Sequence, residues 1–247
     1  MNKKVYFAGS IRGGRQDAEL YKRIIAAINE TDTVLTEHVG DLSLSLVESQ
    51  GDKAIYEQDT AWLRECDLVI AECSTPSLGV GYELAYAEKY HKPVYIFYKK
   101  GVHLSAMLTG DDYFEICPYE DEDNLLGAIG YILGRKWFIT EAERQIIGYT
   151  CYMEFQHGWY QEAEYWREDS LNISINDWER ADMTQFMREL VPGFDDYDNN
   201  IIDRETWNRI KITAEAKGGD IKSIIDEVST WCEQNFERQN VFYIFGV

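Results

Sequence analysis

Three side chains in the first half of the sequence have the chemistry needed to break a glycosidic bond. Glu83 follows the turn-like stretch Pro-Ser-Leu-Gly-Val-Gly-Tyr, Asp59 ends the tripeptide Glu-Gln-Asp, and Tyr6 lies in a short apolar run. One carboxylate can attack or stabilise the anomeric carbon of a sugar while a second carboxylate handles the proton. The two acids and the tyrosine therefore predict sugar-bond chemistry, provided that the fold brings them together.

Each of these residues also has an ordinary structural explanation. Asp59 alone is typical of a solvated helix face, and His38, which follows the apolar run Thr-Val-Leu, is typical of a core or loop histidine. A glutamate near the start of a helix can simply complement the helix dipole, which is worth less than about 1 kcal/mol. We expect Glu83 to lie in the first turn of its helix, where the dipole would help to keep the carboxylate ionised.

Two turns could bind a phosphate group. Residues 9–14, Gly-Ser-Ile-Arg-Gly-Gly, follow the first apolar run, and Ser77 and Gly79 precede Glu83. Glycine lets backbone N–H groups approach an anion, and Arg12 adds a charged, planar donor. Residues 9–14 match neither the dinucleotide-binding nor the triphosphate-binding glycine motif, which disfavours those two classes of ligand. An ordinary flexible turn is an equal alternative to a phosphate site at these residues.

Short apolar runs alternate with helical patterns in this half of the chain. The pattern predicts strands over residues 4–8, 33–35, 67–71 and 94–98, and helices over residues 17–28, 54–65, 82–90 and 122–133. Strands that alternate with helices predict a parallel sheet, which binds ligands at the carboxyl ends of its strands. The turns that carry the candidate residues follow such strand ends.

The pattern changes after Gly134. A capping box, Thr140-Glu-Ala-Glu143, predicts a long helix over residues 140–168, and further helices are predicted over residues 177–190, 204–217 and 220–237. The expected organisation is an α/β domain over residues 1–134 followed by an all-α domain over residues 135–247. We expect the second domain to be a structural or dimerisation bundle. We also expect residues 241–245 to pack against another part of the structure, because they are too apolar for a free tail.

Composition excludes several classes of function. Lys and Arg total 24 against 44 Asp and Glu, which gives a formal charge of −20 and opposes binding to a nucleic acid polymer. No apolar run reaches the roughly 20 residues that span a bilayer. The five cysteines form no CxxC pair, and no His/Cys cluster suggests a metal site. We expect a reduced, cytoplasmic protein without a metal or cofactor.

Five motifs together resemble a known family. VYFAGSIRGGRQD, VLTEHV, EQDTAWL, PSLGVGYEL and LSAM occur in this order over residues 4–134, and they are similar to those of the 2'-deoxynucleoside 5'-phosphate N-hydrolases of the nucleoside 2-deoxyribosyltransferase superfamily. The resemblance implies a Rossmann-like doubly wound domain that binds no dinucleotide. It also implies a homodimer that hydrolyses a deoxynucleoside monophosphate to free base and deoxyribose 5-phosphate.

The resemblance assigns roles to the matching residues. Glu83 is the nucleophile, Asp59 is the acid/base partner that also holds the sugar hydroxyl, and Tyr6 supports the sugar and the nucleophile. His38 borders the base, Ser77 and Gly79 hold the phosphate, and the neighbouring subunit supplies Ser105 and Met107. The implied substrate-binding residues are Gly9, Ser10, Ile11, Arg12, Gly13, His38, Ser77, Gly79, Ser105 and Met107.

Two other functions fit the sequence. A deoxyribosyltransferase would share Glu83 and pass the sugar to a second base, although transferases of this superfamily work on nucleosides that lack the phosphate. A nucleotide sensor would bind the monophosphate with residues 1–134 and report it through residues 135–247. Formation of a new nucleoside from an added base identifies the first alternative, and nucleotide binding without turnover identifies the second.

Overall fold

The computed structural model describes residues 2–10, 17–40, 51–148, 151–158 and 165–246. The chain divides into two compact units, Met1–Leu133 and Gly134–Val247. Each unit contains its own five-stranded sheet.

The first unit is a mixed α/β structure. Its strands are β1 (Lys4–Gly9), β2 (Thr33–Val34), β3 (Leu68–Glu72), β4 (Val94–Lys99) and β5 (Glu115–Tyr119). Its helices are α1 (Ala18–Asn29), a 3-10 turn (Glu37–Gly40), α2 (Asp52–Glu65), α3 (Leu78–Lys89), α4 (Ala106–Thr109) and α5 (Glu122–Ile132). The strands pair in the order β2-β1-β3-β4-β5, and every pair is parallel, which confirms the predicted parallel sheet.

Helices cover both faces of this sheet, which explains why β1 and β3 are almost continuously apolar. On one face Tyr6 and Ala8 pack with Leu63 of α2 and Leu84 of α3. On the other face the Phe7 ring lies 5.5 Å from that of Tyr21 in α1. The strand order reverses between β1 and β3, and sheets of this kind bind ligands at such a switch point.

The second unit corrects the prediction of an all-α domain. It contains the strands β6 (Ile139–Thr140), β7 (Tyr152–His157), β8 (Leu171–Ser174), β9 (Asn199–Asp203) and β10 (Val241–Gly246). They form an antiparallel sheet in the order β6-β8-β7-β10-β9. The helices are α6 (Glu141–Ile147), α7 (Ile175–Arg180), α8 (Met183–Leu190), α9 (Arg204–Lys217) and α10 (Gly219–Phe236).

The prediction of one long helix from Thr140 to residue 168 is wrong beyond its start. The capping box between Thr140 and Glu143 is present, but α6 ends after seven residues at Gly148, which adopts a left-handed conformation (φ 76°). Glycine takes this conformation without a Cβ penalty and commonly ends a helix. The chain then enters β7, which packs Met153 and Phe155 into the core of this unit.

The helix predicted over residues 177–190 is also divided. Asp182 has a φ of 57°, so α7 and α8 are separate helices. The predicted helix over residues 204–217 is confirmed, and the one over residues 220–237 agrees with α10 to within one residue. No helix in the described ranges has the length and apolar content needed to cross a membrane.

Candidate active site

The structure brings Tyr6, Asp59 and Glu83 together on one side of the first sheet. Helices α2 and α3 contact each other, and both contact β1. Tyr6 is buried in β1, and its electrostatic partners are Glu83 and Asp59. The three side chains therefore form one interacting cluster, which we call the acid cluster.

Helical periodicity explains why Glu83 faces the sheet. Val80, Leu84 and Ala87 of α3 are buried, and Glu83 belongs to the same face because residues three and four apart share one side of a helix. Glu83 is the sixth residue of α3 and no acidic residue lies in the first turn, so the expectation of a first-turn position is wrong. The dipole acts mainly within the first turn and has little effect on a residue placed here.

The surroundings of Glu83 disfavour its charge. Burial and the neighbouring charge of Asp59 raise the pKa of Glu83 to about 7, although a hydrogen bond from Tyr6 works in the opposite direction. The helix dipole therefore gives Glu83 little of the expected help in staying ionised, and burial disfavours the charged form. At neutral pH the carboxyl group is close to half ionised, and the hydrogen bond from Tyr6 favours the ionised form.

Tyr6 is held in its protonated state. Burial is the largest cause that raises its pKa above the ordinary value, and the charges of Glu83 and Asp59 raise the pKa further. The hydroxyl group consequently remains a hydrogen-bond donor, and the Glu83 carboxylate is its acceptor. The supporting role that the resemblance implies for Tyr6 stays a prediction, and a hydroxyl group that donates to Glu83 is what this role requires.

The two predicted phosphate turns begin at the carboxyl ends of β1 and β3. Ser10 follows β1, its side chain is buried, and its hydroxyl oxygen has no hydrogen-bond partner among the described residues. Ser77 caps α3 by accepting a hydrogen bond from the Val80 N–H at 3.4 Å, and Gly79 is exposed in the first turn. Ile11, Arg12 and Gly13 lie outside the described residues, as does the side chain of His38.

Gly9 has a steric reason to be glycine. A Cβ atom at this position would lie 2.9 Å from the Tyr21 ring, which is closer than carbon atoms normally pack. The last residue of β1 therefore runs directly against an aromatic ring of α1. This contact fixes the path of the chain as it leaves the sheet.

Ser105 and Met107 are grouped with Ser77 and not with the acid cluster. Ser105 caps the short helix α4, and Met107 is 81% exposed. A cavity of about 480 Å³ is lined by Ser77, Ser105 and Met107 of the same chain. Tyr6, Asp59 and Glu83 do not line this cavity.

The sequence prediction missed a buried acid on the face of the first sheet opposite to the acid cluster. Glu72, the last residue of β3, is 1% exposed and accepts a hydrogen bond from the Tyr119 hydroxyl at 2.9 Å. Burial raises the pKa of Glu72. The available signal was a charged residue at the end of the apolar run Leu-Val-Ile-Ala. Within the described ranges, no three His, Cys, Asp or Glu side chains are grouped as metal ligands.

Comparison with known proteins places the first unit in a family. A family model described as nucleoside 2-deoxyribosyltransferase matches residues 5–143. The 5-hydroxymethyl-dUMP N-hydrolase of Tetraodon nigroviridis is 51% identical over 114 residues, which are 44% of this chain and 80% of that protein. The proteins of the same name from Mus musculus and Homo sapiens are 45% and 43% identical, over 48% and 47% of this chain and 73% and 72% of their own lengths. This chain therefore belongs to the nucleoside 2-deoxyribosyltransferase family.

Proposed function

We propose that the protein hydrolyses the N-glycosidic bond of 2'-deoxynucleoside 5'-monophosphates. The products are the free base and 2-deoxyribose 5-phosphate. The observation that carries the proposal is the acid cluster, in which a buried tyrosine donates to one of two interacting carboxylates on one side of a parallel sheet. The relatives named 5-hydroxymethyl-dUMP N-hydrolases support the same reaction class.

The proposed reaction has two steps. In the first, an oxygen of ionised Glu83 bonds to the anomeric carbon, the bond to the base breaks with its electron pair, and the base takes a proton from a solvent water, which leaves hydroxide. In the second, water attacks the anomeric carbon, ionised Asp59 takes the water proton and passes it to the hydroxide, and the bond to Glu83 breaks. Both carboxyl groups return to their initial states, as a retaining-type glycosidase requires.

We assign the 5'-phosphate to the turns after β1 and β3. Ser10 offers a buried hydroxyl without a partner among the described residues, and a phosphate oxygen would satisfy it. Ser77 and Gly79 lie at the N-terminal end of α3, which is twelve residues long and favours an anion at that end. The proposed nucleotide site is completed by Ile11, Arg12, Gly13 and His38, which are assigned from the sequence motifs alone.

A substrate panel tests this function. We expect release of free base from at least one deoxynucleoside 5'-monophosphate in the presence of a metal chelator, with 5-hydroxymethyl-dUMP as the first substrate to try. The matching nucleoside should react about 10- to 100-fold less efficiently, because hydrogen bonds to a charged phosphate contribute about 1.5–3 kcal/mol. Chromatography of the released base gives kcat/KM for each compound.

Three results would contradict parts of this proposal. Equal efficiency with and without the 5'-phosphate would remove the phosphate assignment. A new nucleotide formed from an added free base would identify a transferase. Nucleotide binding without any turnover would identify a sensor.

We further propose that the protein acts as a cytoplasmic homodimer with shared active sites. Large apolar side chains are exposed on the first unit, including Leu78 (97%), Tyr82 (54%) and Met107 (81%). Exposed apolar groups of this kind are typical of interaction surfaces. In this proposal Ser105 and Met107 complete the site of the partner, and the second unit, residues 135–247, is a structural or dimerisation domain.

A mixed dimer tests the sharing. We expect the Glu83→Ala and Ser105→Ala homodimers to be impaired at both sites. A heterodimer of the two variants should regain up to half of the wild-type rate, because one of its sites combines an intact Glu83 with an intact Ser105. Differently tagged chains allow the heterodimer to be isolated and its kcat measured.

The opposite result has a definite structural meaning. A heterodimer no more active than the mean of the two homodimers would show that Ser105 serves its own chain or that the second unit has replaced the family's dimer with another assembly. The cavity that Ser77 and Ser105 line within one chain offers the geometry for the first of these alternatives.

A further inference from the structure

Glu72 is the centre of a buried hydrogen-bond network at the ends of the strands. Its Oε1 atom accepts from the hydroxyl of Tyr119 at 2.9 Å and also from that of Ser74. Its Oε2 atom accepts from the hydroxyl of Tyr21 at 3.4 Å. A buried carboxylate is costly unless such donors satisfy it, and here three hydroxyl groups from different elements do so.

The Tyr21 branch of this network reaches the first phosphate turn. The Tyr21 hydroxyl oxygen accepts the backbone N–H of Ser10 at 3.2 Å, and the Tyr21 ring lies against Gly9. Tyr21 thus controls both the path of the backbone and the orientation of the peptide group at the point where β1 ends. The Ser10 hydroxyl, which has no partner among the described residues, is carried by the same residue.

Asp17, which follows residues 11–16 in the chain, is held by two polar contacts. Asp17 Oδ1 accepts from the Lys99 ammonium at 2.7 Å, and Asp17 Oδ2 accepts from the Thr75 hydroxyl at 3.0 Å. Thr75 and Ser74 belong to the loop that leads from β3 to Ser77. Both proposed phosphate turns are therefore linked through buried or half-buried polar contacts that the reaction itself does not use.

We propose that Glu72 and Tyr21 are positioning residues that fix Ser10 for the 5'-phosphate of the substrate. Glu72 orients the Tyr21 hydroxyl, Tyr21 holds the Ser10 N–H, and the Ser10 hydroxyl is thereby presented to a phosphate oxygen. This inference rests on the proposed function. A protein group that is already held in its binding position binds a ligand more tightly, because the entropy cost of ordering that group has been met in folding.

Two tyrosines provide a matched pair of variants. Tyr21 and Tyr119 are both buried, and both donate a hydroxyl to Glu72, but only Tyr21 accepts from Ser10. We expect Tyr21→Phe to raise KM for the deoxynucleotide about tenfold, the equivalent of one hydrogen bond to a charged group, with kcat within about twofold. Tyr119→Phe should leave KM within about twofold of wild type, and Glu72→Gln should share the KM effect of Tyr21→Phe.

The selectivity for phosphate separates positioning from a general loss of structure. Tyr21→Phe should lower the preference for the nucleotide over the matching nucleoside, whereas Tyr119→Phe should preserve it at a comparable loss of thermal stability. Hydrogen exchange at the Ser10 amide, measured by NMR without substrate, should accelerate in Tyr21→Phe and not in Tyr119→Phe. Equal KM values and equal Ser10 exchange in the two variants would overturn the inference.

Failure of the proposed hydrolysis can be distinguished from failure of the positioning role. If wild-type protein releases no base, the proposed hydrolysis fails, and the comparison is then made on Ser10 exchange and on the dissociation constant of deoxyuridine 5'-monophosphate. Weaker nucleotide binding by Tyr21→Phe than by Tyr119→Phe supports the positioning role even then. Absence of nucleotide binding by the wild-type protein overturns both proposals.

Discussion

Glu83→Gln is expected to lower kcat by about 10⁴-fold or more, since loss of an attacking group typically removes this much of the rate. Glutamine has the shape of the glutamate side chain and can still accept the hydrogen bond from Tyr6. It cannot form the bond to the anomeric carbon that the proposed first step requires. Single-turnover measurement of base release at saturating nucleotide tests this loss directly.

Stability measurements control for unfolding of this variant. The folded-state pKa of Glu83 is raised to about 7, so the folded protein loses stability as pH rises from the ordinary value of 4.5 towards 7 and does not regain it above that. Glu83→Gln should therefore be at least as stable as wild type at pH 8. A stable variant that binds nucleotide and keeps more than about a tenth of wild-type kcat would show that Glu83 is not the nucleophile.

Asp59→Asn is expected to lower kcat/KM by about 10²- to 10³-fold, the usual contribution of a general acid/base. It should also change the pH profile. In the wild-type protein kcat/KM should rise with pH through about 7, because ionised Glu83 is the reactive form. Removal of the Asp59 charge lowers the pKa of Glu83, so this rise should occur at lower pH in the variant. Initial rates from pH 5 to 9 at low substrate give both quantities.

Two further variants make the pH shift diagnostic. Tyr6→Phe removes a hydrogen bond that lowers the pKa of Glu83, so its acid limb should move to higher pH, opposite to that of Asp59→Asn. Glu57→Gln removes an exposed acid from the same helix as Asp59 and should change neither rate nor profile. The substrate phosphate titrates near pH 6 in every variant alike and cannot produce shifts of opposite sign. Identical acid limbs in wild type and Asp59→Asn would contradict the assigned interaction.

Much of the site could be predicted from the sequence. The turns at strand ends, the two acids and Tyr6 were all recognisable, but the motifs rather than the periodicity indicated that Asp59 and Glu83 meet. The ionisation of Glu83 could not be predicted, because it depends on burial between α2, α3 and β1. Glu72 was missed for a related reason, since its three hydroxyl donors, Tyr21, Ser74 and Tyr119, are distributed over 99 residues of sequence and have no local spacing.

The second unit shows the limits of local patterns more clearly. The capping box correctly predicted the start of α6, and the helix α9 was correct at both ends. The sheet was missed because its strands are short and widely separated, and because the helix predicted from the capping box was extended through β7. Within β7, Met153 and Phe155 alternate with Glu154 and Gln156, which is the period-two pattern of a strand. Glu154 and Gln156 are buried on the face opposite to Met153 and Phe155, and Glu154 accepts two backbone N–H groups, from Trp166 and Arg167, both at 3.0 Å. The alternation was therefore a usable signal, whereas the burial of both faces depends on tertiary contacts that have no local pattern.

The position of β10 has a consequence for biosynthesis. This strand lies between β7 and β9, yet more than 80 residues separate it from β7 in the chain. Pairings of such long sequence separation form slowly, and domains near the N-terminus usually fold first during translation. The first unit can complete its sheet once β5 has left the ribosome, whereas β7 and β9 must wait with unpaired edges until residues 241–246 have been synthesised. The nascent second unit is thus the part of this chain that depends on protection from aggregation before translation of β10 is complete.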